Sequence, residues 1–217
     1  MPTLRLYDYA ASANCYKVRL LLAQLGIAYE RVEVDIFAGD TLTPEFARVN
    51  PARSTPVLEL EDGRVLPESG AILTFLAEGS ALLPGERFAR AAVLRWLLFE
   101  QADIVPMIGG LRFRLLTGRL SPDSPEAAQR RDGAHAALRV LEAHLEDQAF
   151  LVAGRYTIAD TAMYGYTHVA GEAGLDLGEY PAVAMWLSRV REQPAHVSDL
   201  RPYPANARPG AGRSIYD

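Results

Sequence analysis

One stretch near the start of the chain, Leu4 to Gly26, constrains the fold most strongly. It begins with Leu-Arg-Leu-Tyr, which reads as a short apolar strand, and it ends at a glycine of the kind that caps a helix. A helix before that glycine is predicted by apolar residues at the spacing of one helical face: Val18, Leu21, Leu22 and Leu25. The bend between strand and helix carries Ser12 and Asn14. A helix N-terminus has unpaired N–H groups and partial positive charge, so this bend suits an anion.

The rest of the chain changes character near residue 80. A second strand over 28–34 follows the first helix closely and predicts a parallel pair, and an Asp62-Gly63 pair predicts a hairpin between two further strands. From residue 87 onward we predict only helices, with a kink near Pro106 and an irregular tail from Arg201. We therefore expect an α/β N-terminal domain over 1–79 and an all-α domain over 87–217 that includes the irregular tail.

Charge and cysteine content narrow the function classes. The net charge of −5 argues against nucleic acid as the main partner. The single cysteine, Cys15, excludes an internal disulfide framework and a cysteine-rich metal site, so no metal is expected. We find neither a secretory signal pattern nor an apolar run of membrane-spanning length, so the expected location is the cytoplasm and no membrane partner is expected.

Four short motifs together carry a resemblance to a known family. They are Ser-Ala-Asn-Cys-Tyr-Lys-Val-Arg at 12–19, Asn-Pro-Ala-Arg-Ser-Thr-Pro-Val-Leu at 50–58, Pro-Glu-Ser at 67–69, and the pair Thr157 and Asp160. Each motif is weak alone, but their order and spacing over nearly the whole chain resemble a cytosolic glutathione transferase.

The resemblance implies a fold, partners and an activity. The fold would be a thioredoxin-like α/β N-terminal domain followed by an all-α helical C-terminal domain, and the assembly a homodimer. The partners would be glutathione, as co-substrate rather than cofactor, and a small hydrophobic electrophile to which its thiolate is conjugated. Glutathione-dependent disulfide reduction and a non-catalytic ligand-binding role remain as alternatives.

The first bend resembles members that hold the glutathione thiol with a serine or threonine. A free thiol has a pKa of about 8.5, and lowering it by about two units requires about 2.7 kcal/mol of preferential thiolate stabilisation. One hydrogen bond to a charged group contributes about 1.5–3 kcal/mol, so a hydroxyl and a helix N-terminus together suffice. Ser12 is the predicted hydroxyl and Asn14 a second donor, although either could simply cap the helix. Tyr9 is a weaker alternative, and Cys15 is expected to be structural.

The remaining glutathione contacts follow from the resemblance. Pro56 resembles the family's cis-proline, which would expose the backbone of Thr55 to pair with the cysteinyl backbone of glutathione. Glu68 would accept from the γ-glutamyl amine and Ser69 would bind its carboxylate. Arg53 falls where relatives often carry a basic residue for the glycyl carboxylate.

The electrophile pocket is expected between the two domains. Its predicted residues come from the first bend and from the kinked long helix: Tyr9, Met107 and Arg112, with Leu111 and Phe113 beside them. A methionine and aromatic stripe is more often core than pocket, so the sequence does not identify a substrate.

Overall fold

A computed structural model describes residues 4–216 and divides the chain into two compact units. The first unit contains the residues up to Leu76 together with the tail from Val197, and the second unit is Ala77–His196. This division lies between Leu76 and Ala77, whereas the sequence predicts a boundary within 79–87. The assignment of the tail differs from the expectation.

The first unit is built on a four-stranded mixed sheet in the order β2-β1-β3-β4, with β1 parallel to β2 and antiparallel to β3, and β3 antiparallel to β4. This arrangement confirms the predicted thioredoxin-like fold. The elements in chain order are β1 Arg5–Asp8, α1 Ala13–Gln24, β2 Glu30–Glu33, α2 Pro44–Val49, β3 Val57–Glu59, β4 Val65–Pro67 and α3 Ser69–Leu76.

The core of this unit explains why these segments fold as they do. Alternation places Leu6 of β1 and Leu58 of β3 on one face of the sheet, and α1 and α3 cover that face. The fully buried side chains that form this cluster are Leu6, Val18, Leu22, Leu58 and Ile72. Gly26 follows α1 with a φ of +64°, the left-handed conformation predicted for it.

The strand register brings three separate parts of the sequence to one edge. Tyr7 of β1 is the partner of Val57 in β3, and Val57 is the partner of Pro67 in β4. The loop into α1 follows Tyr7, the Thr55-Pro56 peptide precedes Val57, and Glu68 follows Pro67. These three segments therefore emerge side by side from one row of the sheet.

The second unit is helical, as predicted. Its elements are α4 Arg87–Phe99, a π-helical segment Glu100–Gly109, α5 Gly110–Leu116, α6 Pro125–Leu145, α7 Ile158–Thr167 and α8 Pro181–Arg191. The interruption predicted at Pro106 is this wider π-helical turn, in which a proline has no N–H to donate. None of the helices within residues 4–216 is both long and apolar enough to cross a membrane.

The start of α7 shows the capping box expected from Thr157 and Asp160. The buried Asp160 carboxyl accepts from the Thr157 N–H at 2.9 Å, the Leu151 N–H at 3.0 Å and the Trp186 Nε1–H at 2.9 Å. Burial raises the pKa of Asp160 to about 6, although these donors act in the opposite direction. One carboxyl thus joins the start of α7 to a loop and to α8.

The tail from Val197 packs on the first unit through polar contacts at several points. The Tyr16 hydroxyl donates to the Val197 carbonyl at 2.7 Å, and Arg19 Nε donates to the Asp199 carboxylate at 2.9 Å. Further along, the Arg213 N–H donates to the Phe37 carbonyl at 2.8 Å. Composition predicts an irregular tail, and the structure shows a 3₁₀ turn there at Ala205–Ala207. The contacts assign the tail to the first unit rather than to the helical domain.

Gly212 tests this docking, because a Cβ at this position would clash with the Asn206 carbonyl oxygen and would lie 2.6 Å from that of Phe37. We expect Gly212→Ala to separate the tail from the loop at Phe37, at a cost of about 1–3 kcal/mol, the range for overpacked sites. Hydrogen exchange at the Arg213 amide should accelerate. Gly85→Ala is the control, since no heavy atom lies within 4 Å of its added Cβ. Unchanged exchange in Gly212→Ala would contradict the docked arrangement.

Candidate functional site

The N-terminus of α1 carries the two residues predicted to hold a sulfur. Ser12 is the N-cap, and its hydroxyl accepts from the Cys15 N–H at 3.3 Å. The capping role that the sequence left open is therefore present, and a hydroxyl that accepts one bond retains a proton to donate. Ser12 and Asn14 are both partly exposed, whereas Ala13 and Cys15 on either side of Asn14 are buried.

Asn14 is joined to a residue that the sequence analysis did not single out. The ammonium of Lys17, one helical turn further along α1, donates to Asn14 Oδ1 at 2.7 Å. Lys17 is fully buried. The only sequence signal for this contact is the three-residue spacing, which places the two side chains on one helical face.

Cys15 is fully buried, as expected of a structural residue. Burial, together with the nearby charge of Asp8, raises the pKa of its thiol to about 12. Hydrogen bonds involving Thr55, the Tyr9 N–H and Ser12 lower it only in part. Such a thiol stays protonated at neutral pH, and this disfavours Cys15 as a nucleophile.

The Thr55–Pro56 peptide bond is cis, as the resemblance implied. Asn50 holds the loop before it, because its Nδ2 donates to the Ser54 carbonyl at 2.9 Å and its Oδ1 accepts from the Ala52 N–H at 3.0 Å. The backbone of Thr55 lies just outside the β3 ladder. An extended ligand backbone can pair with groups in such a position.

Arg53 lies in the same loop and is partly buried. Its φ of +55° is unusual for a residue with a side chain, and its Nη1 donates to the Thr41 carbonyl at 2.8 Å. That bond anchors the guanidinium and leaves its other N–H groups able to bind an anion.

Glu68 and Ser69 form the third segment at the sheet edge. Glu68 has a φ of +74°, a strained conformation for a non-glycine residue, and its side chain is exposed. Ser69 is the first residue of α3 and is 4% exposed. Within residues 4–216 its hydroxyl makes no hydrogen bond, so it is available for an acceptor or donor on a ligand.

The residues predicted for the electrophile fall in both units. In the first unit, Tyr9 is 6% exposed, with its ring centroid 5.9 Å from that of Phe37. In the second unit, Met107 lies in the π-helical segment, and the buried Arg112 of α5 donates from Nε to the Glu172 carboxylate at 2.6 Å. That these residues line one pocket stays a prediction.

The structure also bears on metal binding. Among residues 4–216, no group of three or more His, Cys, Asp or Glu side chains is placed to hold a metal ion.

Comparison with known proteins assigns the family. The model described as "Glutathione S-transferase, N-terminal domain" matches residues 11–78, and "Glutathione S-transferase, C-terminal domain" matches residues 98–194. The disulfide-bond oxidoreductase YfcG of Escherichia coli is 32% identical over 195 residues, which span 86% of this chain and 90% of that protein.

Two solved structures extend the comparison. A glutathione S-transferase from Pseudomonas fluorescens is 44% identical with a TM-score of 0.89, and the match covers 92% of this chain and 100% of that one. A glutathione transferase from Pseudomonas putida, solved with one glutathione disulfide bound per subunit, is 30% identical with a TM-score of 0.80, and the match covers 89% of each chain. These matches confirm the resemblance predicted from the four motifs, and the chain belongs to the glutathione S-transferase family.

Proposed function

We propose that this protein transfers the glutathione thiolate to a small electrophilic carbon. The observation that carries the proposal is the row Tyr7–Val57–Pro67, which aligns the α1 N-terminus, the Thr55 backbone and Ser69 along one sheet edge in a member of this family. Glutathione carries a carboxylate at each end, with the cysteinyl backbone and its sulfur between them. The three segments offer partners to these groups: Ser69 to a carboxylate, the Thr55 backbone to the cysteinyl backbone, and the α1 N-terminus to the sulfur.

The ends of glutathione would be bound by charge and hydrogen bonding. The Ser69 hydroxyl and the first N–H groups of α3 suit the γ-glutamyl carboxylate, and the exposed Glu68 carboxylate suits its amine. Thr55 would pair with the cysteinyl backbone, and Arg53 would reach the glycyl carboxylate. The sulfur would then face Ser12.

The chemical step needs a thiolate and correct placement. Ser12 and the N-terminal dipole of α1 would stabilise the sulfur anion after its proton leaves to solvent. The sulfur lone pair forms the new C–S bond, and the leaving group departs with the electron pair of the bond that breaks. Tyr9, Met107 and Arg112 are the residues we propose for contact with the electrophile. Proximity supplies the remaining acceleration.

Ser12→Ala tests the thiolate assignment. We expect the pKa of bound glutathione to rise by about one to two units, because a hydrogen bond to a charged group contributes about 1.5–3 kcal/mol and one pKa unit corresponds to about 1.4 kcal/mol. Ultraviolet titration of the thiolate band measures it. Ser12→Thr keeps both a hydroxyl and a helix cap and should retain a low pKa. An identical titration curve for Ser12→Ala would exclude Ser12 from this role.

Disulfide reduction with glutathione is the second candidate, supported by the name of the Escherichia coli relative and by the glutathione disulfide in the Pseudomonas putida structure. One glutathione thiolate would attack the substrate disulfide, releasing one thiol and forming a mixed disulfide. A second glutathione would release the other thiol as glutathione disulfide forms, so two glutathiones are oxidised for each disulfide reduced.

Parallel assays separate the two reactions. If the protein conjugates glutathione, its kcat/KM for an aryl halide should exceed its kcat/KM for a small disulfide when both are measured at the same glutathione concentration. The reverse order would replace the leading proposal with the second one. Binding of glutathione without turnover of either substrate would indicate a non-catalytic ligand-binding protein.

A homodimer is the proposed assembly. In the second unit, α4 exposes large apolar side chains, with Phe88 80%, Leu94 55% and Leu98 62% exposed. Exposed large apolar side chains concentrated on one element are a feature of interaction sites. Glutathione would be consumed as a co-substrate, and the cytosol holds the glutathione pool, in line with the cytoplasmic location predicted from the sequence.

Sedimentation velocity tests the dimer. The fitted mass should be twice the 23.8 kDa mass of the chain. Leu98→Glu should convert the protein to a monomer, because it would place a charge in the apolar dimer interface. Met185→Glu is the control, since Met185 is 57% exposed but lies on α8. A monomeric wild-type protein would contradict the proposal.

A further inference from the structure

We propose that Lys17 is a positioning residue that fixes the Asn14 amide with its N–H groups directed toward the glutathione sulfur. This inference rests on the proposed function. It adds a residue to the thiolate site that the four motifs assign no role.

Asn14 faces Lys17 with its amide oxygen. A lysine ammonium has three donors and no acceptor, so only an oxygen of Asn14 can face it favourably. The 2.7 Å contact from Lys17 Nζ to Asn14 Oδ1 therefore excludes the opposite orientation of the amide. With its oxygen engaged, the amide directs Nδ2 away from Lys17.

The Nδ2 group of Asn14 is the donor that this contact leaves for a ligand. Within residues 4–216, Asn14 Nδ2 has no hydrogen-bond partner, and the side chain is partly exposed at the second position of α1. Ser12, the proposed thiolate donor, is the N-cap two residues earlier. A sulfur near the Ser12 hydroxyl thus has a second donor within the same helical turn.

Lys17 also brings a positive charge to the Asn14 amide. Lys17 is fully buried, a position in which a lysine seldom lies without a charged or polar partner. A cation on Oδ1 polarises the amide, and this strengthens hydrogen-bond donation from Nδ2 to an anion. Among the other ionisable groups near α1, Asp8 pairs with Arg19 and Arg31, Arg19 also pairs with Asp199, and the Cys15 thiol is protonated.

Substitutions of Lys17 test its positioning role. Lys17→Met is the main variant, because methionine is similar in length, apolar and a good helix former. We expect Lys17→Met to raise the pKa of bound glutathione by about one unit. At a pH below both pKa values, about tenfold less of the bound glutathione is then thiolate. Lys17→Arg keeps a donor and should recover most of the shift. Affinity for S-methylglutathione, which has no thiol to ionise, should change less than about threefold.

The Asn14→Ala background separates positioning from a direct effect of the lysine charge. If Lys17 acts through the amide, Lys17→Met should raise the pKa of bound glutathione by less than about 0.3 units in the Asn14→Ala background, because the effects of two residues that act as a unit are not additive. An equal shift in both backgrounds would overturn the inference. So would a wild-type pKa in Lys17→Met.

A measurement on the wild-type protein covers the case in which Lys17→Met does not fold. In NMR spectra, the Asn14 side-chain NH₂ signals should move more on binding glutathione than on binding S-methylglutathione. Equal movement would overturn the inference. Absence of any thiolate band in the wild-type complex would instead refute the proposed function, so the two failures are distinguishable.

Discussion

The register of the central sheet is the constraint on which the candidate site depends. Pairing of Tyr7 with Val57, and of Val57 with Pro67, lines up three chain segments that are far apart in sequence. A one-residue slip would turn Leu6 and Leu58 out of the core, so burial of these two leucines fixes the register. The same apolar contacts that stabilise the first unit therefore set the spacing of its polar edge.

Much of this arrangement could be predicted from the sequence, because its determinants are local. Leucine periodicity and Gly26 define α1, the Asp62-Gly63 pair defines the hairpin, and the short motifs identify the family. The π-helical form of residues 100–109 could not be predicted, since Pro106 indicates an interruption but not its geometry. The partner of Lys17 was also missed, because a lysine on a helix usually lies in solvent and its burial depends on tertiary packing.

Polar groups are distributed unequally around α1. Its first turn presents partly exposed donors at Ser12 and Asn14, whereas Arg19, further along, is buried against Asp8 and reaches Asp199. The buried pair ties α1 to β1, since Arg19 lies on the helix and Asp8 on the strand. The exposed donors are then free to serve a ligand. Backbone strain occurs at the candidate site and also elsewhere. Arg53 and Glu68 have positive φ at the sheet edge, and Ala153 and Ala195 have positive φ in the second unit.

The return of the tail to the first unit has a consequence for synthesis. Residues 77–196 separate the two segments of the first unit, one of which precedes them and the other follows them in the sequence. A nascent chain that has emerged only as far as residue 76 still lacks two partners from the tail. Asp199 pairs with Arg19, and the Arg213 N–H donates to the Phe37 carbonyl. The first unit therefore acquires these contacts only after residues 197–213 have been translated, although its sheet is encoded earlier.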